Sequence, residues 1–165
     1  MKIAHVAPLY ESVPPRYYGG TERIIAYLVD GLVELGHEVT LFSSADARTK
    51  AELVAVRDQA LRLDPDKLKS PMAAHLSMLD EVRRRAASFD IIHFHLSHFI
   101  HFPFFEHMPQ KTVTTSHGRL DYKDLPTAYA RWPRFPMISI SDPQRRPLRE
   151  ANWIATIHHG LPQDL

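Results

Sequence analysis

A pair of glycines at the start of a long helical pattern is the first feature of the sequence that could do chemistry. The stretch "YGGTERIIAYLVDGLVELGHEVTLFS" begins at Tyr18, and a chain with only six glycines in 165 residues places Gly19 and Gly20 side by side. Glycines let a backbone approach a ligand, and the N–H groups at a helix start favour an anion, most often a phosphate. We therefore predict an anion site at Gly19, Gly20 and Thr21. The alternative is a tight turn with Thr21 as a plain N-cap.

The second feature is the polar end of an apolar strand pattern in "TVTTSHGRL", where His117 is followed by Gly118. A polar side chain at the carboxyl end of a parallel strand can meet a ligand, and the glycine admits close approach. Arg119 and Asp121 follow in the same loop and are expected to contact ligand hydroxyl groups. The alternatives are a histidine that caps the strand without touching a ligand and a surface ion pair between Arg119 and Asp121.

A dense series of histidines raises the question of a metal site. The series runs over His93, His95, His98, His101 and His107. The first two share one face of a strand, so chelation is geometrically possible, but the run has no cysteine and no carboxylate before Glu106. We expect no metal, and we expect His93 and His95 to line a polar cleft.

A strand-to-helix turn in "SISDPQRRPLREANW" places two further polar residues near the same edge, Ser141 and Asp142. The ordinary role of Ser141 and Asp142 at such a turn is to cap the next helix, and the functional alternative is contact with a ligand or with another domain. The arginines that follow could attract a phosphorylated ligand, although a solvated helix face explains them as well.

The elements that must position these residues alternate between strand and helix. Strand patterns cover residues 2–7, 38–43, 90–95, 112–116, 137–140 and 153–158, and most are continuously apolar, as in parallel sheets covered on both faces. Helical patterns cover residues 21–35 and 71–88, a third helix is expected after Ser141, and a short strand is possible at residues 60–63. This order predicts a Rossmann-like, doubly wound α/β domain with a mainly parallel sheet, whose ligands bind beyond the carboxyl ends of the strands.

Composition narrows the class of protein. A length of 165 residues with 44% apolar content fits one domain over residues 1–165, and a net charge of +1 offers no broad basic face for nucleic acid. The absence of cysteine excludes disulfides, thiolate zinc sites and cysteine nucleophiles. The most apolar stretch, "FDIIHFHLSHFIHFPFF", is interrupted by histidines and a proline, which argues against a membrane span. We expect a cytoplasmic protein.

The ordered series of motifs resembles the N-terminal domain of a retaining glycosyltransferase of family 4, with the GT-B fold. The motifs are "MKIAHVAP", "YYGGTERIIAYLVDGLVELGHEVTLFSS", "FDIIHFH", "TVTTSHGRL" and "MISISDPQRRP". The resemblance implies that Gly19 and Gly20, with Thr21, lie against the diphosphate of a nucleotide-sugar donor, and that His117 lies near the transferred sugar. We expect His117 to orient the sugar by hydrogen bonding rather than to act as a base. The expected contacts to acceptor or sugar are Tyr18, His93, His95, Gly118, Arg119, Asp121, Ser141 and Asp142.

The resemblance also implies a reaction and its partners: a sugar passes from a nucleotide-sugar to a sugar, lipid or small-molecule acceptor with retention and without a cofactor. In that family the C-terminal domain holds most donor contacts. We expect it to be absent from this chain, which would leave the chain inactive alone, with an exposed face that could pair two copies. Two alternatives stay open. One is a stand-alone, non-catalytic binding or scaffolding domain, and the other is a flavodoxin-like or other nucleotide-binding α/β protein.

Overall fold

A single parallel β-sheet of seven strands organises the protein. The structure, a computed structural model, describes residues 1–162. All six strand pairings are parallel, and the strand order is β3-β2-β1-β4-β5-β6-β7. The strands are β1 (Lys2–Val6), β2 (Glu38–Ser43), β3 (Glu52–Ala55), β4 (Ile91–Phe94), β5 (Thr112–Ser116), β6 (Met137–Ser139) and β7 (Trp153–Thr156). The parallel sheet predicted from the apolar runs is confirmed.

The strand order reverses at β1, which pairs with β2 on one side and with β4 on the other. The register places His5 opposite Leu41 of β2 and opposite His93 of β4. In open α/β sheets such a reversal opens a crevice beyond the carboxyl ends of the strands. The reversal therefore defines the edge at which a ligand site is expected.

Helices cover both faces of the sheet. They are α1 (Gly20–Glu34), α2 (Pro71–Arg85), α3 (Phe102–Phe105) and α4 (Leu125–Tyr129). On one face, α1 packs Ile25, Ala26 and Val29 against β2. The other three helices cover the opposite face with a larger core that includes both phenylalanines that begin and end α3. Each face therefore has its own apolar cluster, as a doubly wound sheet requires.

The ends of α1 and α2 follow from local sequence. Gly36 ends α1 because its φ of +84° lies in the left-handed region that glycine adopts without strain. Its amide donates to Val33 O at 2.9 Å. Ser70 begins α2, since its Oγ accepts a hydrogen bond from the amide of Ala73 at 3.2 Å. Both helices were predicted, and a 3₁₀ turn at Ala86–Ser88 completes the predicted span of the second.

Two local predictions differ from the structure. Residues 60–63 form no strand of the sheet; instead the amide of Leu61 donates to Leu9 O at 2.8 Å, which ties this segment to the loop after β1. The third strand lies earlier, at β3, where its side chains are at best half-buried at the edge of the sheet. The helix expected after Ser141 is a 3₁₀ helix, Pro143–Leu148, because Pro147 interrupts the α-helical hydrogen-bond pattern.

Within residues 1–162, no helix combines the length and apolar character that crossing a bilayer requires.

Candidate functional site

Three cavities meet at the carboxyl edge of the sheet. The inner cavity, about 250 Å³, lies between the loops after β4 and β5 and is lined by Pro8, Thr21, His95, Leu96, Ser97, His98, Ser116, His117, Gly118, Arg119, Leu120 and Tyr122. The helix-start cavity, about 680 Å³, surrounds the first turn of α1 and contains Tyr18, Gly19, Gly20, Thr21, Arg62, His117 and His159 among its lining residues. The apolar groove, about 520 Å³, lies between α1 and β5–β7 and contains Tyr27, Leu28, Leu32, His93, His95, Thr115, His117, Ile138 and His159. His117 borders all three.

Most of the predicted site residues come together around these cavities. Those that line at least one cavity are Tyr18, Gly19, Gly20, Thr21, His93, His95, His117, Gly118 and Arg119. Asp121, Ser141 and Asp142 line none of the three. The side chain of Asp121 is held by Arg119, with Nε–Oδ1 and Nη2–Oδ2 distances of 2.9 and 2.6 Å. Asp142 Oδ1 accepts a hydrogen bond from Thr156 Oγ1 at 2.8 Å.

The start of α1 differs from the simple cap considered above. The N-cap is Gly19 rather than Thr21, and no side chain caps the helix there. A Cβ atom on Gly20 would meet nothing within 4 Å, so this position faces open space in the helix-start cavity. Amide groups that no side chain caps are therefore available beside a cavity, which suits an anion.

Charged side chains surround the helix start. Arg62 Nη1 lies 3.2 Å from Oε1 of the buried Glu11, and its Cζ lies over the ring of Tyr10, 5.9 Å from the ring centroid. Glu22, in the first turn of α1, is also buried. Burial raises the pKa of Glu22, its own backbone amide lowers it, and the nearby Glu11 carboxylate raises it further. The cavity therefore offers an anion two arginines, Arg23 and Arg62, but opposes it with the carboxyl group of Glu22, whose ionisation burial already disfavours.

Four imidazoles form a continuous hydrogen-bonded row across the sheet, which we call the histidine chain: His5, His95, His117 and His159. The distances are 3.0 Å from His5 Nδ1 to His95 Nε2, 2.9 Å from His95 Nδ1 to His117 Nε2, and 3.1 Å from His117 Nδ1 to His159 Nε2. Both ring nitrogens of His117 are thus engaged by other histidines. Any hydrogen bond from His117 to a ligand requires one of these partners to move.

The imidazoles of the site are held neutral. Burial lowers the pKa of His5 to about 4. Burial lowers the pKa of His95 well below its usual range, and the neighbouring imidazoles add to this effect. The pKa of His117 is lowered by burial first and then by His159 and His93. At pH 7 the site therefore contains uncharged imidazoles, which can donate or accept a hydrogen bond but carry no positive charge.

The histidine series in the sequence does not converge on one metal centre. His101 lies on the opposite face of the sheet, stacked on Phe94, with its Nε2 2.8 Å from Thr114 Oγ1. In the part of the chain that the structure describes, one group offers ligand atoms close together: His5, His93 and His95 each have one within 4.8 Å of the others. Because His5 and His95 already face each other as a hydrogen-bonded pair, we assign no metal. The absence of a metal remains a prediction.

Sequence reasoning missed several residues of the site. His5 lies inside the strand pattern of residues 2–7, which gives it no site role, and its position beside His93 depends on a pairing between segments almost ninety residues apart. A sequence signal for His159 exists, because His159 and Gly160 follow the strand pattern of residues 153–158 in the same way that His117 and Gly118 follow that of residues 112–116. His98 lines the inner cavity with a backbone φ of +57°, and no pattern in the sequence predicts this conformation.

A family model indicates the family of the chain, and two solved structures support its fold. The family model described as Glycosyltransferase Family 4 matches residues 18–162. AviGT4, a glycosyltransferase involved in avilamycin A biosynthesis, is similar in structure with a TM-score of 0.53 and 22% identity, over 90% of this chain and 38% of that one. MurG of Acinetobacter baumannii gives a TM-score of 0.55 and 8% identity, over 98% of this chain and 46% of that one. This chain thus spans less than half the length of either protein. No curated protein sequence matches it significantly.

Proposed function

The chain belongs to glycosyltransferase family 4, and on that basis we propose that it is the acceptor-side domain of an enzyme that transfers a hexosyl unit from a nucleotide-sugar to an acceptor. The transfer proceeds with retention of configuration and without a metal or cofactor. The observation that carries this proposal is the position of His117, which borders all three cavities at the carboxyl edge of the sheet. A group at this junction can touch a donor in one cavity and an acceptor in another.

The donor diphosphate is proposed to lie in the helix-start cavity. Gly20 and Thr21, at the start of a helix whose N-cap makes no side-chain hydrogen bond, line this space together with Arg23 and Arg62. These groups would stabilise the negative charge that develops on the diphosphate as the sugar leaves. The carboxyl group of Glu22 works against this binding when it is ionised, which gives the proposal a measurable signature.

The acceptor is proposed to lie in the inner cavity. Ser97, His98, Arg119 and Tyr122 contribute hydrogen-bonding groups to its lining. Such a lining suits an acceptor with several hydroxyl groups, either a sugar or the polar part of a lipid or small molecule. Asp121 engages Nε and Nη2 of Arg119, which leaves Nη1 to donate to such hydroxyls.

His117 is proposed to orient the transferred sugar rather than to remove a proton. Its lowered pKa leaves it neutral, and a retaining transfer of this type does not need a protein base. Its role is then to present one hydrogen bond in a fixed direction, which positions the sugar for transfer.

Transfer is proposed to require a second, donor-binding domain that closes over this site. The helix-start cavity and the apolar groove are open to solvent, and Ile157 and Leu161 on the groove are more than half exposed. A closed cleft excludes water and assembles donor and acceptor, and one wall of it cannot do so. The exposed face would meet the second domain or, without it, a second copy of the chain.

The proposal is tested by offering a panel of nucleotide sugars and sugar acceptors to the purified chain of residues 1–165 and measuring nucleoside-diphosphate release. A second arm adds the separately purified donor-binding domain of a family 4 enzyme. We expect no transfer in the first arm and measurable transfer in the second. Robust transfer by the chain alone would contradict the two-domain requirement. Binding of nucleotide sugars without transfer in any arm would favour a non-catalytic binding domain.

A further inference from the structure

The histidine chain restricts the protonation pattern of every imidazole in it. Its members come from four segments: His5 from β1, and His95, His117 and His159 from the loops that follow β4, β5 and β7. His5 is fully buried and His159 is exposed, so the row runs from the core to the surface at the ligand edge. Each link joins Nδ1 of one ring to Nε2 of the next.

Counting protons leaves only two arrangements. Each neutral ring carries one N–H, and each of the three links needs one hydrogen between its two nitrogens. If His5 donates to His95, then His95 must donate to His117 and His117 to His159, because a second hydrogen in any link would place two donors face to face. The reverse order follows in the same way from His159 inward. Every link joins Nδ1 of the inner ring to Nε2 of the outer ring. When the hydrogen bonds are donated outward, from His5 towards His159, all four rings are therefore Nδ1–H tautomers. When they are donated inward, all four are Nε2–H tautomers.

The two ends of the row differ in freedom. The exposed His159 can exchange hydrogen bonds with water, whereas Nε2 of His5 is buried without a partner in the described structure. The link between His95 and His117 is also sheltered, because His95 is only 3% exposed. A ligand in the cavities can therefore compete with His159 at Nδ1 of His117, but it cannot readily compete with His95 at Nε2.

We propose that His5 and His95 are positioning residues, which hold the ring of His117 and couple its tautomer to their own, and that a sugar ligand meets His117 at Nδ1 by displacing His159. The part about the ligand rests on the proposed function, whereas the coupling of the four rings does not. Both parts follow from the same geometry, in which one nitrogen of His117 is anchored in the core and the other faces the cavities.

The coupling is tested in the ligand-free protein by recording ¹⁵N chemical shifts of the histidine rings at pH 7.5. We expect His5, His95, His117 and His159 to show one shared tautomer, or the same ratio of the two tautomers. Two members in opposite tautomers, or a doubly protonated His117, would overturn the coupling.

Two substitutions distinguish the histidine chain from a merely crowded cluster. His95→Leu interrupts the row, so the tautomer ratios of His5 and His117 should become unequal. His93→Leu is the matched control: its ring lies 4.1 Å from that of His95, but its Nε2 bonds to Thr115 Oγ1 at 2.7 Å rather than to the row. We expect this control to leave the shared ratio unchanged. The same result from both variants would overturn the proposal.

The ligand part is tested by adding UDP-glucose or GDP-mannose at millimolar concentration to the labelled protein. Displacement of His159 predicts shift changes at His117 Nδ1 and His159 Nε2. Any accompanying change of tautomer ratio should be shared by His5, His95 and His117 but not by the displaced His159. Changes confined to the His95 side, or no change at any of these nitrogens, would overturn the ligand part. A shared tautomer in the free protein would still support the coupling, so failure of the proposed function is distinguishable.

Discussion

Gly19 lies so close to Pro15 that a Cβ atom added to the glycine would stand 2.7 Å from the Cβ atom of the proline. The same added atom would lie 2.8 Å from Oε2 of Glu22, whereas one added to Gly20 would meet nothing within 4 Å. The adjacent glycines therefore have different purposes. Gly19 lets the chain pack on itself before α1, and Gly20 leaves space in the helix-start cavity.

The first prediction contrasts these glycines in stability. Gly19→Ala should lower the free energy of unfolding by about 1–3 kcal/mol, because the new methyl group collides with Pro15. Gly20→Ala, the matched control, should leave it unchanged or raise it by up to about 1 kcal/mol, since alanine restricts the unfolded chain more than glycine does. Denaturant unfolding of both variants checks this. Equal stabilities would contradict the packing role of Gly19.

The second prediction concerns ligand space at Gly20. Gly20→Val should weaken the binding of UDP and GDP about tenfold or more, roughly 1.4 kcal/mol, because its side chain occupies the space beside the helix amides. Gly31→Val is a matched control in the same helix, since a Cβ atom on Gly31 also meets nothing within 4 Å. Calorimetric titration measures both affinities. Unchanged affinity of Gly20→Val for UDP and GDP would contradict the proposal that the diphosphate binds in the helix-start cavity.

The third prediction follows from the buried carboxyl group of Glu22. Glu22→Gln should strengthen nucleoside-diphosphate binding several-fold at pH 8, because it removes a negative charge next to the proposed diphosphate. The advantage should shrink as the pH falls, since the wild-type carboxyl group becomes protonated at a pKa raised by burial. Glu34→Gln, at the far end of α1, should have no comparable effect. A weaker affinity in Glu22→Gln would contradict the assignment.

The fourth prediction is a loss of stability in mild acid. Burial lowers the pKa of His5 to about 4 and that of His101 to about 3. The unfolded chain, with ordinary histidine pKa values near 6.5, therefore binds more protons than the folded chain once the pH drops below about 6.5. Each fully buried imidazole should cost roughly 1.4 kcal/mol of stability at pH 5.5 relative to pH 7.5.

Denaturant unfolding at both pH values measures this loss. His101→Phe should make the loss of stability between pH 7.5 and pH 5.5 smaller by roughly 1.4 kcal/mol, the amount expected for one buried imidazole. A stability that does not change between pH 7.5 and 5.5 would show that these rings are not buried in the neutral state.

The fifth prediction separates structure from turnover at His117. His117→Ala leaves Nδ1 of the buried His95 without a partner, which should cost about 1–3 kcal/mol of stability. His117→Gln can place an amide where Nε2 stood and should recover much of that loss. In the two-domain transfer assay both variants should lose about 2–4 kcal/mol of transition-state stabilisation. Full turnover by His117→Ala, with only a lowered melting temperature, would make this a structural histidine.

Prediction from sequence succeeded where the deciding forces are local. Continuous apolar runs located β1, β2 and β4–β7, and the strand ends then placed Gly19, Gly20 and His117 at one edge of the sheet. It failed at β3, because a short edge strand with half-buried side chains lacks the apolar run of a central strand. It also missed the histidine chain, since the pairing of β1 with β4 and the course of the loop after β7 are tertiary properties that no local pattern encodes.

The interior position of β1, between β2 and β4, has a consequence for folding during synthesis. One neighbour, β2, ends at Ser43, but the other, β4, begins only at Ile91. During synthesis from the N-terminus, β1 can pair on one side early, while its other edge has no partner until about fifty more residues have been added. An unpaired, apolar edge in a nascent chain is prone to wrong pairing with other chains. The yield of correctly folded protein should therefore depend on how fast this middle segment is translated and on chaperones that shield β1 meanwhile.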